Sequence, residues 1–146
     1  MKKNLFLIGI VLVLATVYII FFTNWFRPKI IQISHTSRPA AGARGGSPIA
    51  RLAFSLGDYY ELTEVKVVPL AEWQTNKEAQ PLWHLVSDGS DDVNHFFYGE
   101  DIGGMDPAVD GAKPQPLQPG VIYRIFVLAG RARGWHDFQI GSVAGK

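Results

Sequence analysis

An unbroken apolar run at residues 5–22, directly after Lys2 and Lys3, constrains this chain more than any other feature. The run carries no charged side chain, and as an α-helix it would span about 27 Å, close to the hydrocarbon thickness of a bilayer. Bulky residues follow the run, whereas a signal peptide ends in small residues at its cleavage site. We therefore expect one uncleaved transmembrane helix, which with its interfacial end covers residues 5–26.

The residues that flank this run predict how it sits in a bilayer. Trp25 and Phe26 stand where an aromatic belt is expected, and Arg27 and Lys29 follow at headgroup depth. Positive charge occurs on both sides of the run, so counting it does not set the orientation. Because short tails usually stay in the cytoplasm, we expect residues 1–4 there and the C-terminal domain in the periplasm or outside the cell.

The rest of the chain, residues 27–146, is long enough for one domain with its own core and too short for two. A net charge of +1 argues against nucleic-acid binding, which requires a concentrated basic face. The chain has no cysteine, so we expect a domain that folds without disulfides.

The charges of this domain are unevenly distributed along the sequence. Residues 27–51 include five basic side chains and no acid, whereas residues 58–110 include twelve acids and two lysines. One interpretation places the basic stretch on anionic headgroups and turns the acidic loops outward, toward a cation or a basic partner. The other interpretation is that the two segments neutralise each other across neighbouring strands.

Short alternating segments recur along the domain with little helical periodicity, which predicts an all-β fold. Segment 121–129 is apolar on both faces apart from Arg124, so we expect it at the centre of a sheet. Val65 and Val67 are predicted to point into the core, with Val68 on the opposite face. The seven predicted strands are residues 29–35, 49–56, 60–69, 82–87, 94–98, 121–129 and 135–140.

Turn residues predict the connections between these strands. Gly57 and Asp58 offer the residues of a hairpin turn, and residues 70–79 are the one place for a short helix. Residues 38–48, rich in Gly, Ala, Arg and Pro, are expected to form a flexible loop. Residues 99–120 contain four prolines and are expected to form a long irregular insert.

One local motif sharpens the fold prediction. Leu117, Pro119, Gly120 and Tyr123 follow the pattern Leu-x-Pro-Gly-x-x-Tyr, and this segment resembles one found in fibronectin type III domains. The resemblance implies that Leu117 plugs the core, that the Pro-Gly pair forms a corner, and that the Tyr123 hydroxyl bonds back to the backbone as a tyrosine corner. It therefore implies an Ig-like (fibronectin III-like) antiparallel sandwich of about seven strands behind the transmembrane helix.

Two cation sites are conceivable from the sequence. If the strands of His84 and His95 pair across the acidic turn, these histidines and Asp88, Asp91 or Asp92 offer ligands for a divalent metal. The same aspartates suggest calcium, although no glutamate closes the loop as in an EF-hand. Half-exposed histidines and a solvated turn explain the same residues, so we predict no bound metal and no cofactor.

No catalytic motif is recognisable, and we predict that the protein is not an enzyme. The glycine-rich residues 42–47 lack the Lys-Ser/Thr ending of a phosphate loop, and no Gly-x-Ser-x-Gly elbow occurs.

The remaining indication of function is the number of aromatic residues in so small a domain. Adjacent aromatics such as Phe96 and Phe97 point to opposite faces of a strand, so some aromatic surface is exposed unless the insert covers it. The aromatic residues concerned are Trp73, Trp83, Trp135, Tyr59, Tyr60, Phe96, Phe97 and Tyr98.

These observations predict a non-enzymatic protein-interaction or scaffold module of the cell envelope, tethered to the bilayer and bound to a protein partner. The alternative is a ligand-binding module that recognises a glycan or a divalent cation through exposed aromatics and acidic loops. Nucleic acid is not an expected partner, and the sequence leaves the oligomeric state open.

Overall fold

The computed structural model describes residues 1–22, 27–38 and 51–141. These residues form two helices, α1 (Lys2–Phe22) and α2 (Leu70–Thr75), and eight strands. The strands are β1 (Ser34–Arg38), β2 (Arg51–Glu61), β3 (Glu64–Pro69), β4 (Trp83–Val86), β5 (Asp92–Phe97), β6 (Asp106–Pro107), β7 (Ile122–Ala129) and β8 (Ala132–Gln139).

The helix α1 has 21 residues, and none of them is buried against the rest of the described chain. It is the one helix in the described ranges that is long and apolar enough to cross a membrane, a property that anchors and signal sequences share. Its Thr16 hydroxyl donates a hydrogen bond to the Leu12 carbonyl (2.8 Å), so this polar group is satisfied within the helix. A helix that is apolar on every side requires a covering of lipid or protein.

The strands form two antiparallel sheets, which confirms the predicted all-β architecture. One sheet has three strands in the order β1-β2-β5, and the other has five in the order β6-β4-β3-β7-β8. The sheets face each other across one apolar core. Phe54 of β2 meets Phe138 of β8 edge-on with ring centroids 5.1 Å apart, and Phe96 of β5 lies 6.0 Å from Trp83 of β4.

The strand β7 lies between β3 and β8, as its apolar sequence predicts. Its inward residues, Tyr123, Ile125 and Val127, are buried in the core. Its outward residues, Arg124 and Phe126, lie on the far face of the five-stranded sheet. Burial therefore alternates along the strand with the period of two that a pleated strand requires.

Val65 and Val67 of β3 are fully buried in the core, as predicted. Val68 lies opposite Arg124 of β7, on the outer face, yet it is also fully buried. The cover is α2, which follows β3 directly and contacts both β3 and β7. The short helix was predicted; its position over the sheet was not.

The predicted hairpin turn at Gly57 and Asp58 is wrong. The strand β2 continues through both residues to Glu61, and the chain turns into β3 only after it. The pairing of β2 with β5 shifts register between Ser55 and Tyr60, and Gly57 has φ +73°. Between the pairs that Ser55 and Tyr60 form, β2 advances five residues while β5 advances two, so Gly57 and Asp58 lie in an irregular bulge of the strand. A left-handed glycine suits such a bulge as well as it suits a hairpin turn.

The first extended segment is displaced from its predicted position at residues 29–35. Ile30 forms a parallel bridge with Arg133 of β8, and the chain then crosses to the other sheet as β1. The Ile31 N–H donates to the Arg133 carbonyl, and the Arg133 N–H donates to the Lys29 carbonyl, both at 3.0 Å. The close approach depends on Gly134, since a Cβ there would overlap the Ile31 carbonyl.

Residues 99–120 are mostly irregular, as predicted, apart from the short strand β6. The insert lies along β4: the Gln115 N–H donates to the Leu82 carbonyl (2.9 Å), and the Ala108 N–H donates to the His84 carbonyl (3.0 Å). The predicted loop at 38–48 lies outside the described residues except for Arg38, the last residue of β1.

Candidate interaction surface

The outer face of the five-stranded sheet carries a row of stacked aromatic and cationic side chains, which we call the Trp–Arg row. It starts with Trp73, which α2 places over the sheet with its ring centroid 5.3 Å from that of Phe126. On β8, Trp135 lies directly opposite Phe126. The row consists of Trp73, Lys77, Arg124, Phe126 and Trp135.

Arg124 is the centre of the Trp–Arg row. Its guanidinium carbon lies 4.9 Å from the ring centroid of Trp73 and 4.3 Å from that of Trp135. Two nitrogens of the same group donate to the Asp137 carboxylate at 2.6 and 2.8 Å. A planar guanidinium suits both contacts, because it can stack on rings while its edge binds a carboxylate.

The ion pair between Arg124 and Asp137 shifts the pKa of both side chains. The hydrogen bonds from Arg124 lower the pKa of the Asp137 carboxyl, and this effect outweighs the opposing effect of partial burial. The pKa of Arg124 is raised chiefly by the same hydrogen bonds. Both groups therefore remain charged at neutral pH, and the pair holds the guanidinium in a fixed plane.

Two lysines add to the positive charge of this face. The Lys77 ammonium lies 3.3 Å from the centroid of Trp73, and the Lys66 ammonium lies 5.6 Å from that of Phe126. Lys66 is also 3.9 Å from Glu64, whose carboxylate is 2.9 Å from a ring nitrogen of His84. The face thus combines aromatic area with several cations and two carboxylates.

The row is accessible to a partner at its β8 end. Trp135 exposes 60% of its surface, although it is a large apolar side chain. Arg and Trp are the residue types most enriched at binding hot spots. Because stacking and ion pairing already fix the side chains, little conformational entropy remains to be lost when a partner binds.

The pairing of His84 with His95 that a metal site between them would require does not occur. His84 is on β4 and His95 is on β5, and these strands belong to different sheets. His84 contacts Glu64, whereas His95 contacts Asn94 at 2.7 Å. Within the described residues no three His, Asp or Glu side chains come close enough together to hold a metal ion.

The acidic turn that carries Asp88, Asp91 and Asp92 is tied down by hydrogen bonds. The buried Ser90 hydroxyl accepts from the Leu62 N–H (2.7 Å) and donates to the Asp91 carbonyl (2.7 Å). The Asp91 N–H donates to the Gly103 carbonyl (3.0 Å). These bonds involve the backbone and Ser90, while Asp88, Asp91 and Asp92 themselves are exposed.

The Leu-x-Pro-Gly-x-x-Tyr motif leads into β7, and Tyr123 is the second residue of that strand. The buried Tyr123 hydroxyl accepts a hydrogen bond from the Gln118 N–H at 2.8 Å, the contact that the resemblance implies. Leu117 is partly buried against the core. Gly120 has φ +81°, a conformation that side-chain-bearing residues adopt at a cost, so this glycine suits the corner that follows Pro119.

Of the predicted membrane-interface residues, Arg27 and Lys29 are exposed, and Trp25 and Phe26 lie outside the described residues. The Lys29 ammonium lies 3.3 Å from the Asp58 carboxylate and 5.0 Å from the centroid of the Tyr60 ring. The hydrogen bond to Asp58 raises the pKa of Lys29.

The aromatic residues are divided between core and surface. Phe96 is buried and the adjacent Phe97 is exposed, as the strand geometry predicts. The insert covers part of the set: the Tyr98 hydroxyl donates to the Gln115 carbonyl (2.7 Å), and Tyr98 packs edge-on against Trp83. Trp73 and Trp135 were among the aromatics considered for surface contacts, but their stacking on Arg124 was not predicted, although the alternation of Arg124 with Phe126 and of Trp135 with Asp137 marks one strand face.

A pair of histidines joins the two sheets at the edge of the core. The His35 Nδ1 on β1 lies 2.7 Å from the His136 Nε2 on β8, so one ring donates a hydrogen bond to the other. Burial, and to a lesser extent the neighbouring His136, lowers the pKa of His35. Two protonated rings at this distance would repel each other, because neither would have a lone pair to accept with.

Comparison with known proteins identifies no relative: no protein-family model, curated protein or solved structure matches the chain.

Proposed function

We propose that this protein is a membrane-anchored protein-interaction module of the cell envelope, an Ig-like (fibronectin III-like) sandwich whose Trp–Arg row binds a protein partner. In this proposal α1 remains in the membrane with its N-terminus in the cytoplasm, and the sandwich lies in the periplasm or outside the cell. The observation that carries the proposal is the exposed Trp135, stacked on an Arg124 that Asp137 holds in place.

The strand order supports an Ig-like sandwich. In such folds strands A, B and E form one sheet, and strands G, F and C form the other with C′ and C″ added beyond C. The sheets β1-β2-β5 and β8-β7-β3-β4 follow this arrangement in chain order, and β6, which comes after β5 in the chain, is an additional edge strand beside β4. The hydrogen bond from Gln118 to the Tyr123 hydroxyl has the geometry of a tyrosine corner at the start of strand F.

A protein partner suits the Trp–Arg row better than a glycan. A sugar needs an open ring face on which to stack, with carboxylates and amides around it. Here Lys77 and Arg124 lie over the Trp73 ring, and Arg124 also lies over Trp135. The neighbouring charges are mainly positive, so we expect the partner to present carboxylates or an electron-rich apolar surface.

Anchoring supports the same function through local concentration. A domain held at the membrane meets other envelope proteins in two dimensions, so a modest surface can give a lasting complex. The Trp–Arg row offers few but well-ordered contacts, as hot spots do. The alternative function, binding of a glycan or a divalent cation, would leave the Trp–Arg row without a protein partner.

The experiment is site-specific photo-crosslinking in the native membrane with the full-length chain. A photoreactive residue replaces Ile122, which is exposed on the outer face of β7. A matched chain carries it in place of Tyr59, exposed on the three-stranded sheet. We expect one discrete protein adduct from position 122, loss of that adduct in Trp135→Ala, and no equivalent adduct from position 59.

Equal adducts from both positions, or an adduct that survives Trp135→Ala, would contradict the assignment of the surface. If position 122 forms no protein adduct at all, the interaction module fails. In that case binding of glycans and of divalent cations to the full-length protein tests the alternative.

A further inference from the structure

A second surface lies where the chain enters the sandwich. Ile30 and Arg133 are bridged across the edge of β8, and Arg131 lies in the turn between β7 and β8. Arg27 precedes this bridge by three residues. We call the surface formed by Arg27, Ile30, Arg131 and Arg133 the basic edge.

The basic edge is close to the membrane helix along the chain. Arg27 follows Phe22, the last residue of α1, by five positions, so even a fully extended connection is no longer than about 18 Å. With α1 in a bilayer, the basic edge is therefore held at or just beyond the headgroups.

The charges of the basic edge are available to a ligand. Arg27, Arg131 and Arg133 are exposed, and none of them forms an ion pair with another described residue. Ile30 exposes 71% of its surface between them. Arginines around an exposed aliphatic side chain suit the interface of an anionic bilayer, where the charges meet headgroups and the apolar group enters the interfacial layer.

The acidic turn lies at the same end of the sandwich but on its other side. The Ser90 N–H donates to the Leu62 carbonyl (3.1 Å), and the Thr63 N–H donates to the Leu128 carbonyl (2.8 Å). Leu128 is in turn the register partner of Arg133. An anionic surface at this end would therefore attract the basic edge and repel the acidic turn.

We propose that the basic edge docks the sandwich on the anionic surface of the bilayer that holds α1, with β8 toward the headgroups and the acidic turn tilted away. This inference rests on the anchoring proposed above. Each arginine within about 8 Å of an anionic surface shifts such an equilibrium about fivefold, so three shift it about 100-fold. The sandwich thus has one preferred orientation on its tether.

The test measures tilt with two reporters at the same end of one sheet. The chain has no cysteine, so a single introduced cysteine takes a single fluorescent label. Ile30→Cys lies at the basic edge, and Val86→Cys lies at the end of β4 beside the acidic turn. Val86 and Arg133 belong to the same row across the sheet, about 14 Å apart at 4.8 Å per strand.

The full-length labelled chains are reconstituted in phosphatidylcholine vesicles with or without phosphatidylglycerol and a headgroup-level quenching lipid. On anionic vesicles we expect the label at position 30 to be quenched at least about twofold more than the label at position 86. The ratio of quenching at position 30 to quenching at position 86 is expected to approach one in the double variant Arg131→Glu/Arg133→Glu. The matched Arg51→Glu/Lys113→Glu variant changes the net charge equally at other exposed sites and is expected to keep the ratio.

The outcomes separate the two proposals. If the chain does not float with the vesicles, the anchor fails and the docking fails with it. If the chain floats but the two labels are quenched equally on anionic vesicles, the docking alone is overturned. A ratio that persists in Arg131→Glu/Arg133→Glu, or that is the same without anionic lipid, also overturns the docking.

Discussion

The two faces of β7 differ sharply in what they contact, although they alternate along one strand. Inward, Tyr123, Ile125 and Val127 are buried among side chains of both sheets. Outward, Arg124 and Phe126 contact the indoles of Trp73 and Trp135 and the carboxylate of Asp137. The inner face is buried and almost entirely apolar, with the Tyr123 hydroxyl bonded to the Gln118 N–H. The outer face consists of ordered charges and partly exposed rings.

This difference indicates which residues stabilise the fold and which are available for binding. Burial of apolar area dominates folding energy, whereas partly exposed ion pairs contribute little to it. An ordered, exposed arrangement of Trp and Arg is therefore poorly explained by stability alone. The comparison predicts that removing apolar side chains from the inner face destabilises the domain much more than removing side chains from the outer face.

The largest expected effect comes from the inner face. Ile125→Ala removes a fully buried side chain and leaves a cavity, so we expect a loss of about 2–5 kcal/mol in the free energy of unfolding. Ile122→Ala is the matched control, because Ile122 is on the same strand, faces outward and exposes 48% of its surface. Chemical denaturation monitored by tryptophan fluorescence measures both, and similar losses would contradict the division between the faces.

A smaller effect is expected at the corner that leads into β7. Tyr123→Phe keeps the buried ring and removes only the hydroxyl that accepts from Gln118. We expect a loss of about 1 kcal/mol in the free energy of unfolding, the usual net value of one hydrogen bond. Tyr59→Phe, at an exposed tyrosine, is the control. An unchanged stability in Tyr123→Phe would mean that the corner bond does not contribute to the fold.

The histidine pair predicts a modest pH dependence at the edge of the core. Because the folded pKa of His35 lies below its unfolded value of about 6.5, the unfolded chain binds the proton more readily. The contribution of His35 to the free energy of unfolding is therefore fully present above a pH of about 6.5. It is lost as the pH falls through the folded pKa.

Thermal unfolding across this pH range measures the effect. The loss of thermal stability with falling pH is expected to be smaller in His35→Gln. It is expected to be unchanged in His95→Gln, because His95 is exposed on β5. Equal declines in both variants would show that the His35–His136 contact does not set the dependence.

Local sequence patterns predicted most of the elements but not their arrangement. The alternation in β7 predicted a central strand, and the apolar run predicted α1, because burial on each face can be read from neighbouring residues. Gly57 and Asp58 were misread because a bulge and a hairpin turn use the same residues. Only the tertiary pairing of β2 with β5 decides between them.

The candidate site was harder to predict for a related reason. Trp73, Arg124 and Trp135 are far apart in sequence and come from α2, β7 and β8. Their contact requires that α2 return over the outer face and that β8 pair with β7 in the observed register. The opposite holds for His84 and His95, which were considered as ligands only if their strands paired: they are close in sequence but belong to different sheets.

The most direct test of the account compares stability and binding in one variant, Trp135→Ala. Because Trp135 lies on the outer face and is mostly exposed, we expect its removal to lower the free energy of unfolding by less than about 1 kcal/mol. We expect the same variant to lose the protein adduct that forms at position 122 in the native membrane. A folded Trp135→Ala protein that keeps this adduct would contradict the claim that the Trp–Arg row is the binding surface.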